Sequence, residues 1–120
     1  MLVSCTFDNN YAHKNGGGMY NSKSNPTLTD CTFRCNQVTG PYSGSGRGPH
    51  TGGGGGIYNS NGSPELTNCL FSENSAGDGG GICSVADSNV TLTNSTFNGN
   101  SASVRGGGLS NWEDNNLTLT

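Results

Sequence analysis

The stretch at residues 79–100, GGGICSVADSNVTLTNSTFNGN, contains every motif that recurs along this chain of 120 residues. It begins with a glycine triplet and one apolar residue and continues with the block LTNSTF. Its phenylalanine is followed three residues later by asparagine. The remaining sequence can be aligned to this stretch almost residue by residue, so the stretch is one unit of an internal repeat.

Four Phe-x-x-Asn pairs mark the repeat, and a glycine triplet with one apolar residue follows each pair. The pairs are Phe7/Asn10, Phe33/Asn36, Phe71/Asn74 and Phe97/Asn100, and the apolar residues are Met19, Ile57, Ile82 and Leu109. From the apolar residue to the next leucine of the Leu-Thr block there are 8, 8, 9 and 9 residues, and from that leucine to phenylalanine always four. From asparagine to the next triplet there are 5, 17, 4 and 5 residues, so one turn carries an insertion within residues 37–53.

The local pattern predicts strands and turns. The blocks are short and rich in Thr, Leu, Val, Ile and Phe, and Gly, Asn, Asp and Ser separate them. The 21 glycines exclude helical repeats, and the leucine spacing excludes leucine-rich repeats. The sequence therefore predicts an all-β, parallel β-helix of about four turns with three short strands per turn. We expect residues 1–120 to form a single β-helix fragment that is truncated within a repeat at both ends.

Strand alternation assigns the interior of this β-helix. The predicted interior columns are Leu28/Leu66/Leu92/Leu119, Cys5/Cys31/Cys69/Ser95, Phe7/Phe33/Phe71/Phe97 and Met19/Ile57/Ile82/Leu109. At the strand ends, Asn10/Asn36/Asn74/Asn100 and Asp30/Asn68/Asn94 form columns that can hydrogen-bond from turn to turn. The glycine triplets are predicted to form a corner with positive φ and close approach between turns.

The cysteines have three possible interpretations. Cys5, Cys31 and Cys69 share one interior column, which suits a stack of buried thiols. The alternatives are one disulfide between neighbouring turns and a metal site, which the lack of a C-x-x-C spacing disfavours. Cys35 and Cys83 lie outside the column and are predicted to be the more reactive thiols.

Charge and hydropathy exclude several function classes. Eight acidic and five basic residues give a net charge of −3 without a basic stripe, which argues against nucleic acid or an anionic membrane as partner. The sequence shows no signal peptide and no apolar run of transmembrane length. No cofactor is indicated. Because both ends lie within a repeat, we expect the isolated chain to self-associate end to end.

The turns between asparagine and glycine collect the residues that could bind a ligand. These candidates are His13, Lys14, Tyr42, Arg47, His50, Asp78 and Arg105. A long loop on a rigid scaffold is a usual position for binding residues. The alternatives are a tolerated, flexible insertion and a histidine-based metal site.

The paired GG-apolar and Phe-x-x-Asn motifs resemble the right-handed, pectin-lyase-like β-helix repeats of polymorphic outer-membrane proteins and related bacterial surface proteins. The residues that carry the resemblance are Gly17-Gly18-Met19, Gly55-Gly56-Ile57, Gly80-Gly81-Ile82 and Gly107-Gly108-Leu109, with the four Phe/Asn pairs. The resemblance implies a non-catalytic, structural or adhesive segment of a secreted or cell-surface protein, located outside the cell, with a polysaccharide or a surface protein as partner.

An enzyme is the alternative within the same fold. In that case the chain is part of a polysaccharide lyase or hydrolase whose catalytic turns lie outside it or at the edge with His13 and His50. Such enzymes need clustered carboxylates. This chain offers Glu65 and Glu73 singly and Glu113-Asp114 as sequence neighbours. Catalysis by these residues is therefore disfavoured.

A third class follows from the outer face of one predicted sheet, where threonines recur. Thr27/Thr29, Glu65/Thr67, Thr91/Thr93 and Thr118/Thr120 form two columns. The two columns resemble the threonine arrays of ice-binding proteins, but Glu65 interrupts the array in this chain and Val3 ends it. Ordinary strand propensity on a solvent face accounts for the same pattern.

Overall fold

The computed structural model describes residues 1–43, 51–112 and 115–120, in which every regular element is a β-strand. The strands are short because Asn, Asp, Ser and Gly end each run of β-branched and apolar residues. Within these ranges there is no helix long and apolar enough to span a lipid bilayer.

Seventeen strands follow one another within the described residues. They are β1 (Leu2–Val3), β2 (Thr6–Asp8), β3 (Tyr11–Ala12), β4 (Met19–Ser22), β5 (Thr27–Thr29), β6 (Thr32–Arg34), β7 (Gln37–Val38), β8 (Ile57–Ser60) and β9 (Glu65–Thr67). The later strands are β10 (Leu70–Ser72), β11 (Ser75–Asp78), β12 (Ile82–Val85), β13 (Asn89–Thr93), β14 (Thr96–Asn98), β15 (Ser101–Arg105), β16 (Leu109–Asn111) and β17 (Asn116–Leu119).

Every fourth strand belongs to the same parallel sheet. Sheet A contains β1, β5, β9, β13 and β17; sheet B contains β2, β6, β10 and β14; sheet C contains β3, β7, β11 and β15; and sheet D contains β4, β8, β12 and β16. Each strand pairs with the equivalent strand of the next turn, so the chain forms a β-solenoid of about four turns. The all-β, parallel architecture predicted from the repeat is confirmed.

Each turn contains four strands, not the three that the sequence predicts. Each Leu-Thr block bends in its middle, at Asp30 in one copy and at Asn68 in the next, where the φ angles are 53° and 54°. The two halves of each block therefore lie in sheets A and B. The residues after the asparagine form a further strand, which belongs to sheet C. The bend at Asp30 agrees with its predicted place at a strand end. The strand of sheet C was not predicted, because the segment between asparagine and glycine varies in length and contains no recurring motif.

The apolar residues stack in the predicted interior columns. Leu28 pairs with Leu66, and Leu66 with Leu92, while the apolar residues after the glycines align in sheet D. The phenylalanine rings stack almost parallel, with centroids 4.6, 4.9 and 4.8 Å apart along the solenoid. Phe33 and Phe71 have no solvent exposure. Each turn therefore buries the face of the turn before it.

The cysteine column closes the bend between sheets A and B. Cys31 Sγ donates a hydrogen bond to the carbonyl of Thr29 at 3.4 Å, and Cys69 Sγ donates to the carbonyl of Thr67 at 3.5 Å. In the fourth turn Ser95 Oγ makes the equivalent bond at 3.2 Å. A small side chain with one donor suits this position, which explains why serine replaces cysteine there.

The asparagine column forms a continuous hydrogen-bond ladder between sheets B and C. Asn36 Oδ1 accepts from the backbone N–H and from Nδ2 of Asn10, and Asn74 Oδ1 accepts the same pair from Asn36. Asn100 Oδ1 accepts them from Asn74. Asn36 and Asn74 are fully buried, so the ladder satisfies polar groups that water cannot reach.

The glycine triplets form the corner before sheet D. Gly54 has a φ of 70°, where a residue without Cβ is favoured. A Cβ atom at Gly56 would lie 2.6 Å from the carbonyl oxygen of Gly81 and 3.0 Å from the ring of Phe71. Successive turns therefore approach each other at this corner more closely than any side chain permits.

On the Thr120 side of the last turn, a cavity of about 450 Å³ opens between sheets A, B and D. Leu92, Phe97, Leu109 and Leu117 line it. The face of the last described turn is therefore lined mainly by apolar side chains, and Leu119 of the predicted interior column is 67% exposed there.

Replacing Phe71 by alanine should lower the free energy of unfolding by about 3–5 kcal/mol, because the ring is stacked between two others in the core. Urea denaturation measures the change. The matched control is Leu70→Ala on the same strand, whose side chain is 37% exposed. It should cost less than about 1 kcal/mol. Equal losses from the two variants would contradict the assignment of the interior face.

Candidate functional site

The candidate binding residues lie along the edge where sheet C passes into sheet D. His13 and Lys14 follow β3 and are exposed, and the carbonyl of Lys14 accepts a hydrogen bond from Gly52 N–H at 2.6 Å. Asp78 and Arg105 end β11 and β15 and pair in register. The predicted candidates Arg47 and His50 lie outside the described residues.

The insertion leaves and rejoins sheet C within one turn. The chain departs after β7, and Gly53 returns to the sheet by bridging Asn15 in the first turn and Asp78 in the third. Between these points Ser43 and Thr51 pair antiparallel, with N···O distances of 3.1 and 2.8 Å. The pairing of Ser43 with Thr51 therefore brings the two ends of this segment of the insertion together.

Tyr42, Asp78 and Arg105 meet around a residue that the sequence analysis did not select, Trp112. The indole Nε1–H donates to Asp78 Oδ2 at 2.6 Å. The guanidinium carbon of Arg105 lies 3.8 Å from the Trp112 ring centroid and 5.9 Å from that of Tyr42. Arg105 Nη2 also donates to the Tyr42 hydroxyl at 3.4 Å. These four residues, Tyr42, Asp78, Arg105 and Trp112, are called the aromatic cluster below.

The sequence analysis did not select Trp112 as a candidate binding residue because it lies just after β16, outside every repeat motif. Its backbone N–H donates to the carbonyl of Ser84, which places it beside Val85 on the outer side of sheet D. The sequence feature that could have identified it is that it is the only tryptophan of the chain.

A second hydrophobic layer lies outside the solenoid on sheet D. Tyr58, Cys83 and Val85 are buried there, with Trp112 packed against them. Gly53 packs directly against this layer, since a Cβ atom at Gly53 would lie 2.9 Å from Cys83 Sγ. The return of the insertion therefore covers apolar side chains and positions the aromatic cluster at the same time.

A groove of about 510 Å³ runs across the outer face of sheet C beside the insertion. Gln37, Ser75 and Ser101, which occupy one outward column, contribute to its floor. Tyr42 contributes to its wall and packs closely on Gly77, where a Cβ atom would lie 2.8 Å from Tyr42 Cβ. The groove therefore combines a column of polar side chains with one aromatic side chain, and the apolar residues Val38, Ala76 and Ala102 also line it.

Of the two thiols predicted to be reactive, Cys83 is buried and Cys35 is partly exposed. All five cysteines are free thiols, in agreement with the first of the three interpretations. Cys83 is 1% exposed, and burial raises the pKa of its thiol far above the usual value, with the Asp78 carboxylate adding to the effect. The pKa of the Cys35 thiol is raised because it donates to Glu73 Oε2 at 3.3 Å. The prediction that Cys83 is reactive is therefore wrong.

The best-defined ion pair lies away from the groove, on the outer face of sheet B. Arg34 Nε and Nη2 donate to the two carboxylate oxygens of Asp8 at 3.1 and 2.6 Å. This contact holds the pKa of Asp8 below its usual value. Both side chains are partly exposed, so the pair contributes little to stability.

On sheet A, the threonine columns are interrupted in the middle. Glu65 pairs with Thr27 on one side and with Thr91 on the other, while Thr29, Thr67 and Thr93 continue the second column. A charged residue therefore stands where a regular ice-binding array needs a threonine.

Replacing residues 44–50 by Asn-Gly should leave the fold intact and the melting temperature within about 3 °C, because Ser43 and Thr51 already form the hydrogen-bonded pair that closes a two-residue hairpin. The variant lacks Arg47 and His50, so it also tests whether these residues bind a ligand. Thermal unfolding by circular dichroism measures the stability. A cooperative transition shifted by more than about 10 °C would show that the replaced segment stabilises the solenoid.

Alkylation of the native protein by iodoacetamide at about pH 8 should label Cys35 slowly and leave Cys83 unmodified, because only the thiolate reacts. Glu73→Gln should accelerate labelling of Cys35 by removing the carboxylate that raises its pKa. Peptide mass spectrometry reports both sites, and labelling in urea is the positive control. Labelling of Cys83 in the native protein at the rate of Cys35 would contradict its burial.

Comparison with known proteins agrees with this geometry. No curated protein and no solved structure matches the chain significantly. One family model, described as "Right handed beta helix region", matches residues 3–120. The match covers every turn of the solenoid, the insertion and the aromatic cluster. The chain therefore belongs to the right-handed β-helix family.

Proposed function

We propose that this chain is a non-catalytic, structural and adhesive β-helix segment of a secreted or cell-surface protein, and that it binds a polysaccharide in the groove of sheet C. The observation that carries the proposal is the groove itself, with a column of polar side chains and one aromatic side chain on a rigid scaffold. The resemblance to bacterial surface repeats supports the same location and role.

The floor of the groove suits a hydroxylated polymer. Gln37, Ser75 and Ser101 repeat along the solenoid at the spacing of adjacent strands, about 4.8 Å. Their amide and hydroxyl groups can both donate and accept hydrogen bonds. A linear ligand with regularly spaced hydroxyl groups can therefore meet one polar side chain per turn.

The wall supplies apolar contact. Sugar rings have apolar faces, and a tyrosine ring offers such a face a large contact area at low conformational cost. Tyr42 packs at its Cβ against Gly77, and its hydroxyl accepts a hydrogen bond from Arg105. Its ring is therefore already ordered before a ligand binds, which reduces the entropy lost on binding.

The charged residues of this edge favour binding over hydrolysis. Asp78 is 1% exposed, and its Oδ2 accepts the Trp112 indole N–H, so this carboxylate is engaged inside the protein. General acid catalysis needs a carboxyl group within hydrogen-bond reach of the scissile bond. Among the described residues, no three His, Cys, Asp or Glu side chains form a group that could hold a metal ion.

The proposal is tested by binding to a panel of immobilised neutral and acidic polysaccharides, measured by biolayer interferometry. Gln37→Ala and Tyr42→Ala should each weaken binding to the best ligand about tenfold, because each removes a contact of the groove. Tyr20→Ala is the matched control, since Tyr20 is 56% exposed on sheet D, away from the groove. It should leave the affinity unchanged.

Binding that none of the groove variants alters would place the ligand elsewhere, and binding to no member of the panel would overturn the proposal. End-to-end self-association of the isolated chain stays a prediction. Sedimentation velocity run beside the binding experiment separates avidity of an oligomer from affinity of the groove.

A further inference from the structure

We propose that Trp112, Tyr42 and Asp78 form a binding site for an organic cation of the alkylguanidinium class, and that Arg105 of the same chain occupies this site in the structure. The site lies beside the polysaccharide groove and shares only Tyr42 with it. The inference does not depend on the proposed function.

The aromatic faces define the site. The Arg105 guanidinium carbon is 3.8 Å from the Trp112 ring centroid and 5.9 Å from the Tyr42 centroid, both within the range of cation–π attraction. Arg105 Nη2 donates to the Tyr42 hydroxyl at 3.4 Å, which is long for a charged donor. The ring contacts therefore hold the guanidinium more firmly than hydrogen bonds do.

The buried carboxylate is an independent observation that indicates a cation. Asp78 is 1% exposed, its Oδ2 accepts the indole N–H at 2.6 Å, and its Oδ1 has no hydrogen-bond partner among the described residues. Hydrogen bonding to a carboxylate polarises the indole and makes its face more attractive to a positive charge. A desolvated negative charge at the ring edge acts in the same direction.

Arg105 differs from an arginine that has only a structural role. Arg34 makes a bidentate ion pair with Asp8, with donor distances of 3.1 and 2.6 Å. Arg105 instead lies on aromatic faces at the surface, beside a register shift between Ala76 and Asp78 that redirects the end of β15. An exposed side chain can leave these faces without opening the core.

The side chain of Arg105 blocks the site for free ligands in the native chain. A tethered group competes with free ligands at an effective concentration in the millimolar range or above. An external guanidinium must therefore displace Arg105 in the native chain, and removal of Arg105 should uncover the ring faces against which its guanidinium lies.

The unique tryptophan provides the readout, because its indole N–H gives a single cross-peak in a ¹H–¹⁵N NMR spectrum. Methylguanidinium chloride is titrated into the native chain, Arg105→Ala and Arg34→Ala, with potassium chloride at equal ionic strength as the salt control. In Arg105→Ala the indole signal should shift saturably, with a midpoint about tenfold lower than in the other two proteins. Arg34→Ala removes one arginine without touching the aromatic cluster.

A second variant tests the carboxylate. Adding Asp78→Asn to Arg105→Ala should raise the midpoint at least threefold, and the backbone signals of the same spectrum report whether the protein is folded. If that double variant does not fold, Tyr42→Leu in the Arg105→Ala background replaces it, with the same expectation.

An indole signal in Arg105→Ala that responds no more than it does to potassium chloride overturns the inference. Equal midpoints for the native chain and Arg105→Ala overturn it as well. The titration contains no glycan, so its failure leaves the polysaccharide proposal untouched.

Discussion

The buried asparagine amide is the interaction on which the rest of the structure depends. At the corner between sheets B and C the backbone N–H groups of Asn10, Asn36 and Asn74 each donate to the side-chain oxygen of the asparagine in the next turn. The same side chain returns a hydrogen bond to a phenylalanine carbonyl of the preceding turn, as from Asn74 to Phe33. A turn that lacked this residue would leave several buried polar groups unpaired. The recurrence of asparagine therefore fixes the register, and the register places the phenylalanine rings on one another.

The corners explain why so few apolar residues suffice. Only 29% of the residues are hydrophobic, but four columns collect most of the large ones inside. At the glycine corner, backbone contacts backbone and needs no side chain at all. At the bend between sheets A and B, a thiol or hydroxyl donor closes the turn. The hydrophobic effect stabilises the columns, and polar or glycine residues at the corners determine where each column stands.

The sequence alone predicted the solenoid and its interior because the repeats report the same position four times. The fourth strand of each turn, which belongs to sheet C, was missed because the residues after each asparagine differ in number and type from repeat to repeat, as β3 (Tyr11–Ala12) and β7 (Gln37–Val38) show. At the candidate site, Tyr42, Asp78 and Arg105 were selected because all lie in equivalent turns. Trp112 could not be found in this way, since it occurs once and reaches Asp78 across 34 residues of sequence. The repeats therefore predict the scaffold. A residue that occurs once and makes its contacts only in the folded chain cannot be identified from them.

The direction of the asparagine ladder has an electrical consequence. Along the strands, backbone N–H groups donate both to the later and to the earlier turn, as Asn68 to Thr93 and Thr32 to Cys5 illustrate, so much of their moment cancels. At the glycine corner, by contrast, the consecutive N–H groups of residues 54–57 all donate to the later turn. The side-chain carbonyls of the ladder all point toward the first turn, because each accepts from the turn before it. Their moments add along the axis, as peptide moments do in an α-helix. The ladder therefore contributes an electric dipole moment whose negative pole lies at the Asn10 end, and a longer ladder of the same kind has a proportionally larger moment.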